Sequence, residues 1–353
     1  RRGCGGCSSS TRGLIGSGTG GNPSPSFTNS VEQIQLATTA KATTFGDLNN
    51  SMRNPAGVSN STRGIFAGGG DNPTFIDVID FFTIASAGNA TDFGNLLAAL
   101  KAASGVGSPT RGLFGGGQTP SFVNTIQYIT IATAGNATDF GDLTSARGYC
   151  SGVSSTTRGI FGGGGAPSIS NVIDYVTIAS TGDAKDFGDA VSAVSDGAAG
   201  ASPTRMLAFG GNAPSKVNTI QYITISTLGN ASDFGDLTNA VRSQISASSN
   251  AVRACTYGGH HESSRVDHIE FVTIATLGNS IDFGNLGASR RITNATSSST
   301  RGVISGGYED PNTVDTMEYI QFATTGNAID FGNLTGAKYA NTGAASNGHG
   351  GLG

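Results

Sequence analysis

The side chains able to do chemistry are few in this chain, and their spacing argues against most of the reactions they could serve. Its four histidines are His260, His261, His268 and His349, too few and too clustered to spread a mononuclear copper site across a large fold. Cys4-x-x-Cys7 has half the pattern of a tetrahedral zinc site, but Cys150 and Cys255 stand alone and supply no second pair. Asp-Phe-Gly, which holds magnesium in kinases, recurs without the strand lysine and catalytic loop which that chemistry needs. The run Gly162 to Gly165 is not followed by the Gly-Lys-Ser/Thr of a phosphate loop. Asp139 with Asp142, and Asp233 with Asp236, could suggest calcium, yet the second carboxylate becomes Asn95, Asn285 and Asn333 elsewhere, so turn hydrogen bonding is the expected role. A glycan hydrolase or lyase would need two converging carboxylates, and among the glutamates only Glu262 and Glu309 fall in segments that vary. The expectation is a non-enzymatic protein with no catalytic residue, cofactor or metal; a polysaccharide-degrading enzyme is the less favoured alternative.

The elements that carry these residues repeat. The Phe of Asp-Phe-Gly, with Thr44 in place of Asp in the first copy, falls at 45, 93, 140, 187, 234, 283 and 331. A second anchor, Thr-Arg-Gly and its variants, places Arg12, Arg63, Arg111, Arg158, Arg205, Arg253 and Arg301 at the same period of about 47–48 residues. Two independent anchors give seven copies.

Within one copy, the runs from Gly148 to Ser155, Thr157 to Gly163, Asn171 to Ala179 and Ala184 to Ala190 are of strand length. Gly182-Asp183 recurs as Gly88-Asn89, Gly135-Asn136, Gly229-Asn230, Gly278-Asn279 and Gly326-Asn327, residues suited to tight hairpin turns. Four antiparallel strands per copy follow, here a to d. In strand c, Ile126, Tyr128 and Thr130 alternate with Gln127, Ile129 and Ile131, so both faces need cover. Radial packing supplies it, and the predicted fold is all-β, a seven-bladed β-propeller of four-stranded antiparallel blades. The aromatic of strand c (Phe81, Tyr128, Tyr175, Tyr222, Phe271, Tyr319) and the Phe of strand d are expected to pack blade against blade; Gln33 departs from this in blade 1. Strand a has one copy too many, because residues 338–346 and residues 1–10 both match it. We expect the C-terminal copy, within 338–353, to close the ring around blades spanning 11–337, with residues 1–10 as an N-terminal tether from something upstream. The chain opens without Met, as a processed or excised piece would.

A basic residue ahead of strand a, a glycine run ending strand b, and aromatics in strands c and d resemble kelch repeats, although strand d carries Phe where kelch repeats usually carry Trp. The wording of residues 172–180, Asp233 to Leu237 and Ser346 to Leu352 resembles repeat proteins of marine cyanophages and related tailed phages. That resemblance implies a virion or tail-associated structural protein, located on the particle.

Composition fits such a body. Gly makes up 55 of 353 residues, charged residues are 12%, and the net charge is -4, which gives no polycationic surface for nucleic acid; no apolar stretch reaches a membrane span. Arg63, Arg111, Arg158, Arg205 and Arg301 are expected to pair with Asp92, Asp139, Asp186, Asp233, Asp282 and Asp330 as a structural latch repeated in each blade. The b-to-c loops change from blade to blade, the pattern of a scaffold that meets its partner through loops. Blades 6 and 7 are the expected ligand site, with His260, His261, Tyr308 and Glu309 as contacts. Arg53, Arg147, Arg242 and Arg290 on the same side would form a partial positive ring, together with Lys101 and Lys338. The expected partners are other virion proteins and a host cell-surface glycan or lipopolysaccharide, or sister subunits in a homo-oligomer. A passive decoration or spacer protein is the alternative role.

Overall fold

The computed structural model describes residues 5–20, 26–71, 74–166, 168–195, 197–213, 215–238, 241–242, 245–261 and 264–339. The chain forms seven four-stranded antiparallel sheets, arranged as the blades of a β-propeller. Blade 4 is representative: strand a is Ser151–Ser154, b Arg158–Gly162, c Val172–Thr177 and d Lys185–Asp189, hydrogen-bonded in that order. No helix occurs among the described residues, so none is long and apolar enough to cross a membrane.

The repeated Asp-Phe-Gly sets the spacing between blades. Its glycine sits beside a register shift between strands c and d, and in blade 2 Gly94 has φ +141. A Cβ there would lie 2.5 Å from the Gly135 carbonyl oxygen of blade 3, so only glycine lets the two backbones approach. The turn of blade 3 then bonds back: Gly135 N donates to Phe93 O at 2.7 Å and Ala137 N to Asn95 O at 2.8 Å. The side chain of Asn136 accepts from Asn95 N at 3.0 Å. Asn or Asp does the same at Asn89, Asp183, Asn230, Asn279 and Asn327, which is why the hairpin turn keeps a short amide or carboxylate.

The core lies in the seams between blades. Leu96 and Phe93 of blade 2 pack with Phe114, Ile129 and Ile131 of blade 3, and each other seam buries apolar side chains of both its blades. The strand c aromatic and the strand d Phe meet edge to face inside one blade, as with Tyr128 and Phe140 at 5.8 Å. Paired in this way inside one blade, the two rings also pack against the next, as Phe81 and Phe93 do against Phe114, Ile129 and Ile131 of blade 3. In blade 1, where Gln33 replaces the aromatic, Phe45 turns to Phe82 of blade 2 at 5.5 Å.

Ring closure differs from the sequence expectation. Strand a of blade 1 is Gly5–Ser8, with Gly5 opposite Gly16 and Ser8 opposite Gly13. The edge of strand b that a C-terminal copy would need is therefore already filled by the N-terminal one. The C-terminal segment contributes Lys338–Tyr339, which pairs with Thr19–Gly20 of blade 1; the rest of that copy, from Ala340 on, lies outside the described residues. Blades 7 and 1 are also joined by Ala42 N donating to Asn333 O at 2.8 Å.

Candidate functional site

The two faces of the disc are built differently. On the a-to-b and c-to-d face, every blade uses its Thr-Arg-Gly arginine in the same way. Arg63 Nη1 donates to the Ile131 carbonyl oxygen of the next blade at 2.8 Å, and its guanidinium lies over the Phe81 ring at 4.6 Å. Arg111, Arg205 and Arg301 likewise reach carbonyls at Ala179, Ile274 and Ala37, and Arg12, Arg158 and Arg253 reach those at Ile84, Ile225 and Phe322. The arginine latches neighbouring blades, but its partner is not the aspartate expected from sequence. Asp92, Asp186, Asp233 and Asp330 instead accept from the glycine N–H two residues on, capping their own strand. Among the described residues no ion pair joins these arginines to Asp139, Asp282 or the other Asp-Phe-Gly aspartates. The carbonyls at the end of strand c are held by the backbone and most of these bonds are partly buried, whereas the aspartates are exposed and gain little from pairing.

A second latch runs nearer the b-to-c face and was not singled out from the sequence. Each strand c carries a buried acid or amide one residue before its aromatic position, and it accepts from a backbone N–H just after strand d of the previous blade. Gln127 Oε1 accepts from Leu97 N at 2.7 Å, Gln221 Oε1 from Val191 N at 2.7 Å and Glu32 Oε2 from Thr335 N at 2.8 Å. Asp80, Asp174, Glu270 and Glu318 hold Asn49, Thr144, Thr238 and Gly287 in the same manner. The legible signal was the polar residue interrupting an apolar strand, which a sandwiched strand tolerates only with a partner.

This latch accounts for two of the predicted ligand residues. Arg147 is 1% exposed and pairs with Asp174 at 2.8 Å, and Arg290, equally buried, pairs with Glu318. Burial pushes the Arg290 guanidinium down, opposed by the charge of Glu309. Neither arginine belongs to a surface ring, so the positive ring expected from sequence is corrected: alternation along the chain turns these two inward. Arg53 stacks over Phe27 at 5.5 Å, and the Lys101 ammonium lies 5.2 Å from the Phe75 ring. The backbone of Arg242 pairs with that of His260.

The b-to-c loops form a ring of short hairpins; in blades 3 to 7 each is paired with the segment entering strand a of its own blade, as in Lys101 with Gln118, Gly148 with Gly165 and Arg291 with Tyr308, and in blade 1 with Lys338–Tyr339. Blades 6 and 7 carry the most varied pair. His260 and His261 lie opposite Arg265 and Ser264, while Tyr308 and Glu309 lie opposite Thr313 and Asn312. Arg265 joins the two hairpins: its guanidinium stands 4.8 Å from the Tyr308 ring and its Nη2 lies 3.3 Å from Asp310 Oδ2. Arg291 covers the same ring at 5.3 Å, and Tyr308 Oη donates to Asp310 Oδ1 at 3.3 Å. The structure thus brings the predicted His260, His261, Tyr308 and Glu309 into one patch and adds Arg265, Arg291 and Asp310 to it. Two guanidinium planes about one aromatic leave donors for an anionic or hydroxyl-rich partner.

Among the described residues no group of three or more His, Cys, Asp or Glu converges as a metal would require. Cys7 and Cys255 are buried in the core, and burial pushes both thiols up; Cys4 lies outside the described residues. A cavity of about 740 Å³ runs along the axis, lined mainly by Gly, Ala and Ser of the inner strands. No family model matches the chain, and no curated protein matches it either.

Proposed function

We propose that the chain is a non-catalytic binding module that offers its b-to-c face to a partner, as the propeller of a phage tail fibre or other virion appendage engaged in host attachment or docking. The observation that carries this reading is the division of labour between the faces. Residues repeated in every blade are consumed in joining blade to blade, while the hairpins that change from blade to blade gather in one layer on the opposite side. Blades 6 and 7 then form the contact patch, with His260, His261, Arg265, Tyr308 and Glu309 available to a host surface glycan or to the phosphates of lipopolysaccharide. Hydroxyl-rich ligands suit stacked aromatic and guanidinium groups, and anionic ones suit the arginines. The virion setting rests on the resemblance to kelch-type phage repeat proteins.

The test is binding of the purified chain to candidate host cells, beside a variant whose segments 259–265 and 307–311 are replaced by Gly and Ser. Saturable binding that is lost in the variant supports an adhesin. Equal binding by both forms, or none by either, overturns it, the second result favouring a decoration or spacer protein.

A further inference from the structure

One seam of the ring is built unlike the other six. In each of the others, a leucine after strand d enters the seam: Leu48, Leu96, Leu143, Leu237, Leu286 and Leu334, all buried. Between blades 4 and 5 that residue is Ala190. The partner position is truncated as well. Strand b of blades 2, 3 and 4 sends Phe66, Phe114 and Phe161 backwards into the preceding seam, packing with Leu48, Leu96 and Leu143. Strand b of blade 5 has Ala208 there, and its aromatic stands one residue later, as Phe209, which points forwards and packs with Ala254 and Val272 of blade 6. Blade 6 repeats the forward arrangement with Tyr257. The direction of aromatic packing therefore reverses between blades 4 and 5, and Met206, which packs with Ile160, Ile173 and Phe187, fills only part of the space.

The consequence is measurable at the glycine that ends strand b. A Cβ on Gly115 would lie 2.7 Å from the Phe161 ring, whereas one on Gly162 would meet nothing closer than Met206 Cε at 3.7 Å. Ser151, the first residue of strand a in blade 4, is exposed, while its counterparts Ser104, Ser246 and Asn294 are buried. The axial cavity opens here into a cleft walled by Gly162, Ile173, Ala190, Met206, Ala208 and Ile223, with Ile169 and Ser170 of the blade 4 hairpin at its mouth on the b-to-c face.

We propose that this cleft binds an uncharged, largely apolar small molecule. The continuous cavity of about 740 Å³ lies within the ~300–1,000 Å³ of ordinary ligand sites. Among the described residues none that lines it is Asp, Glu, Lys, Arg or His, so a charged ligand would shed its water and find no counter-charge from them. A neutral polar end is provided for: Asn294, 5% exposed, lines the same cavity, and its Nδ2 has no hydrogen-bond partner. An aliphatic alcohol of about ten carbons is the simplest molecule with these properties. The site does not depend on the host-binding reading of the hairpins.

The experiment is titration of the full chain with the neutral dye Nile red, displacement by n-decanol and by decanoate, and a thermal melt with decanol. The comparison protein is Ala190→Leu/Ala208→Phe, which restores at this seam the residues of blades 2 to 4. The expected result is saturable dye binding, displaced by decanol at least ten times more effectively than by decanoate, with a Tm that climbs with decanol concentration. In the double variant dye affinity falls at least tenfold and decanol no longer moves Tm. Equal affinity in both proteins, equal displacement by decanoate, or no saturable binding by the unaltered chain overturns the proposal. If the double variant does not fold, Ala190→Leu alone is read in the same way, with a smaller but definite loss of affinity required.

Discussion

The two faces of the disc solve the same problem, holding one blade to the next, with opposite degrees of freedom. On the a-to-b and c-to-d face the solution is nearly constant: arginine to a carbonyl and glycine where the backbones meet at all seven seams, and asparagine or aspartate to a backbone N–H at six, with Lys41 in its place between blades 7 and 1. Towards the b-to-c face the solution is rewritten from blade to blade, and two of the links pair a buried arginine with an acid. The residue four places after the seam leucine is Met52, Leu100, Arg147 and Arg290 in four of the links, and the latch residue of the blade each link enters is Asp80, Gln127, Asp174 and Glu318. Where the first is arginine the second is an acid, and where it is leucine the second is a neutral amide. A buried arginine must find an acid within reach, whereas the acid can stand without the arginine, as Asp80 does in the link of Met52 and Glu270 in that of Val241. The difference teaches that residues facing a fixed backbone stay fixed, whereas those of the second latch vary from link to link, and an arginine among them is matched by an acid.

Breaking one such pair has the largest expected effect. Arg147→Leu leaves the Asp174 carboxylate buried with only Thr144 to hold it and should cost about 3–5 kcal/mol in denaturant unfolding. Adding Asp174→Gln recreates the Leu100–Gln127 pair of blade 3 and should recover most of that loss; if the two changes simply add, the pairing account is wrong. On the constant face, Arg63→Ala removes a charge-assisted bond to Ile131 and the cover over Phe81, and a loss of about 1.5–3 kcal/mol is expected from the same measurement. No change would remove the latch.

A smaller effect sharpens the comparison at Asp80, which faces Met52 rather than an arginine. Burial holds its carboxyl above the usual carboxylate range, opposed by the hydrogen bonds from Asn49. Folding thus favours the protonated form, so the stability Asp80 contributes is fully present below the unfolded pKa and is lost as pH rises through the raised folded value. Asp80→Asn should therefore be neutral to about 1 kcal/mol stabilising at pH 7, and this advantage should shrink as the pH of the melt is lowered through the carboxylate range. An advantage that grows on acidification would contradict the assignment. The smallest expected effect is on the variable hairpins: replacing His260 and His261 with Ser, with Arg265 left against Tyr308 and Asp310, should change stability by less than ~0.5 kcal/mol, since surface substitutions away from packed features are near neutral.

Much of this architecture was legible from two repeated anchors. The spacing of Asp-Phe-Gly and Thr-Arg-Gly gave the seven blades, and strand lengths with Gly-Asn turns gave four strands in each. The partner of the arginine was not legible, because Asp92 and the Ile131 carbonyl lie on the same face and only packing decides between them. Nor was the burial of Arg147 and Arg290. Counted from the seam leucine they occupy the fourth place, whereas Arg53, half-buried over Phe27, occupies the fifth, and a shift of one residue turns a side chain to the other side. The closing strand was ambiguous because two segments spell strand a equally well, and only the pairing of Gly5–Ser8 with Arg12–Gly16 distinguishes them. The gap between blades 4 and 5 was in principle readable from Ala190 and Ala208, once every copy is laid against the others.

The most direct test of the division between faces is amide hydrogen exchange of the chain with and without extracted host surface polysaccharide. The account predicts that added protection falls on the b-to-c hairpins, foremost residues 260–265 and 308–313, and leaves the Gly-Asn turns of the opposite face unchanged. Protection centred on those turns, at Gly88-Asn89 and its repeats, would contradict it.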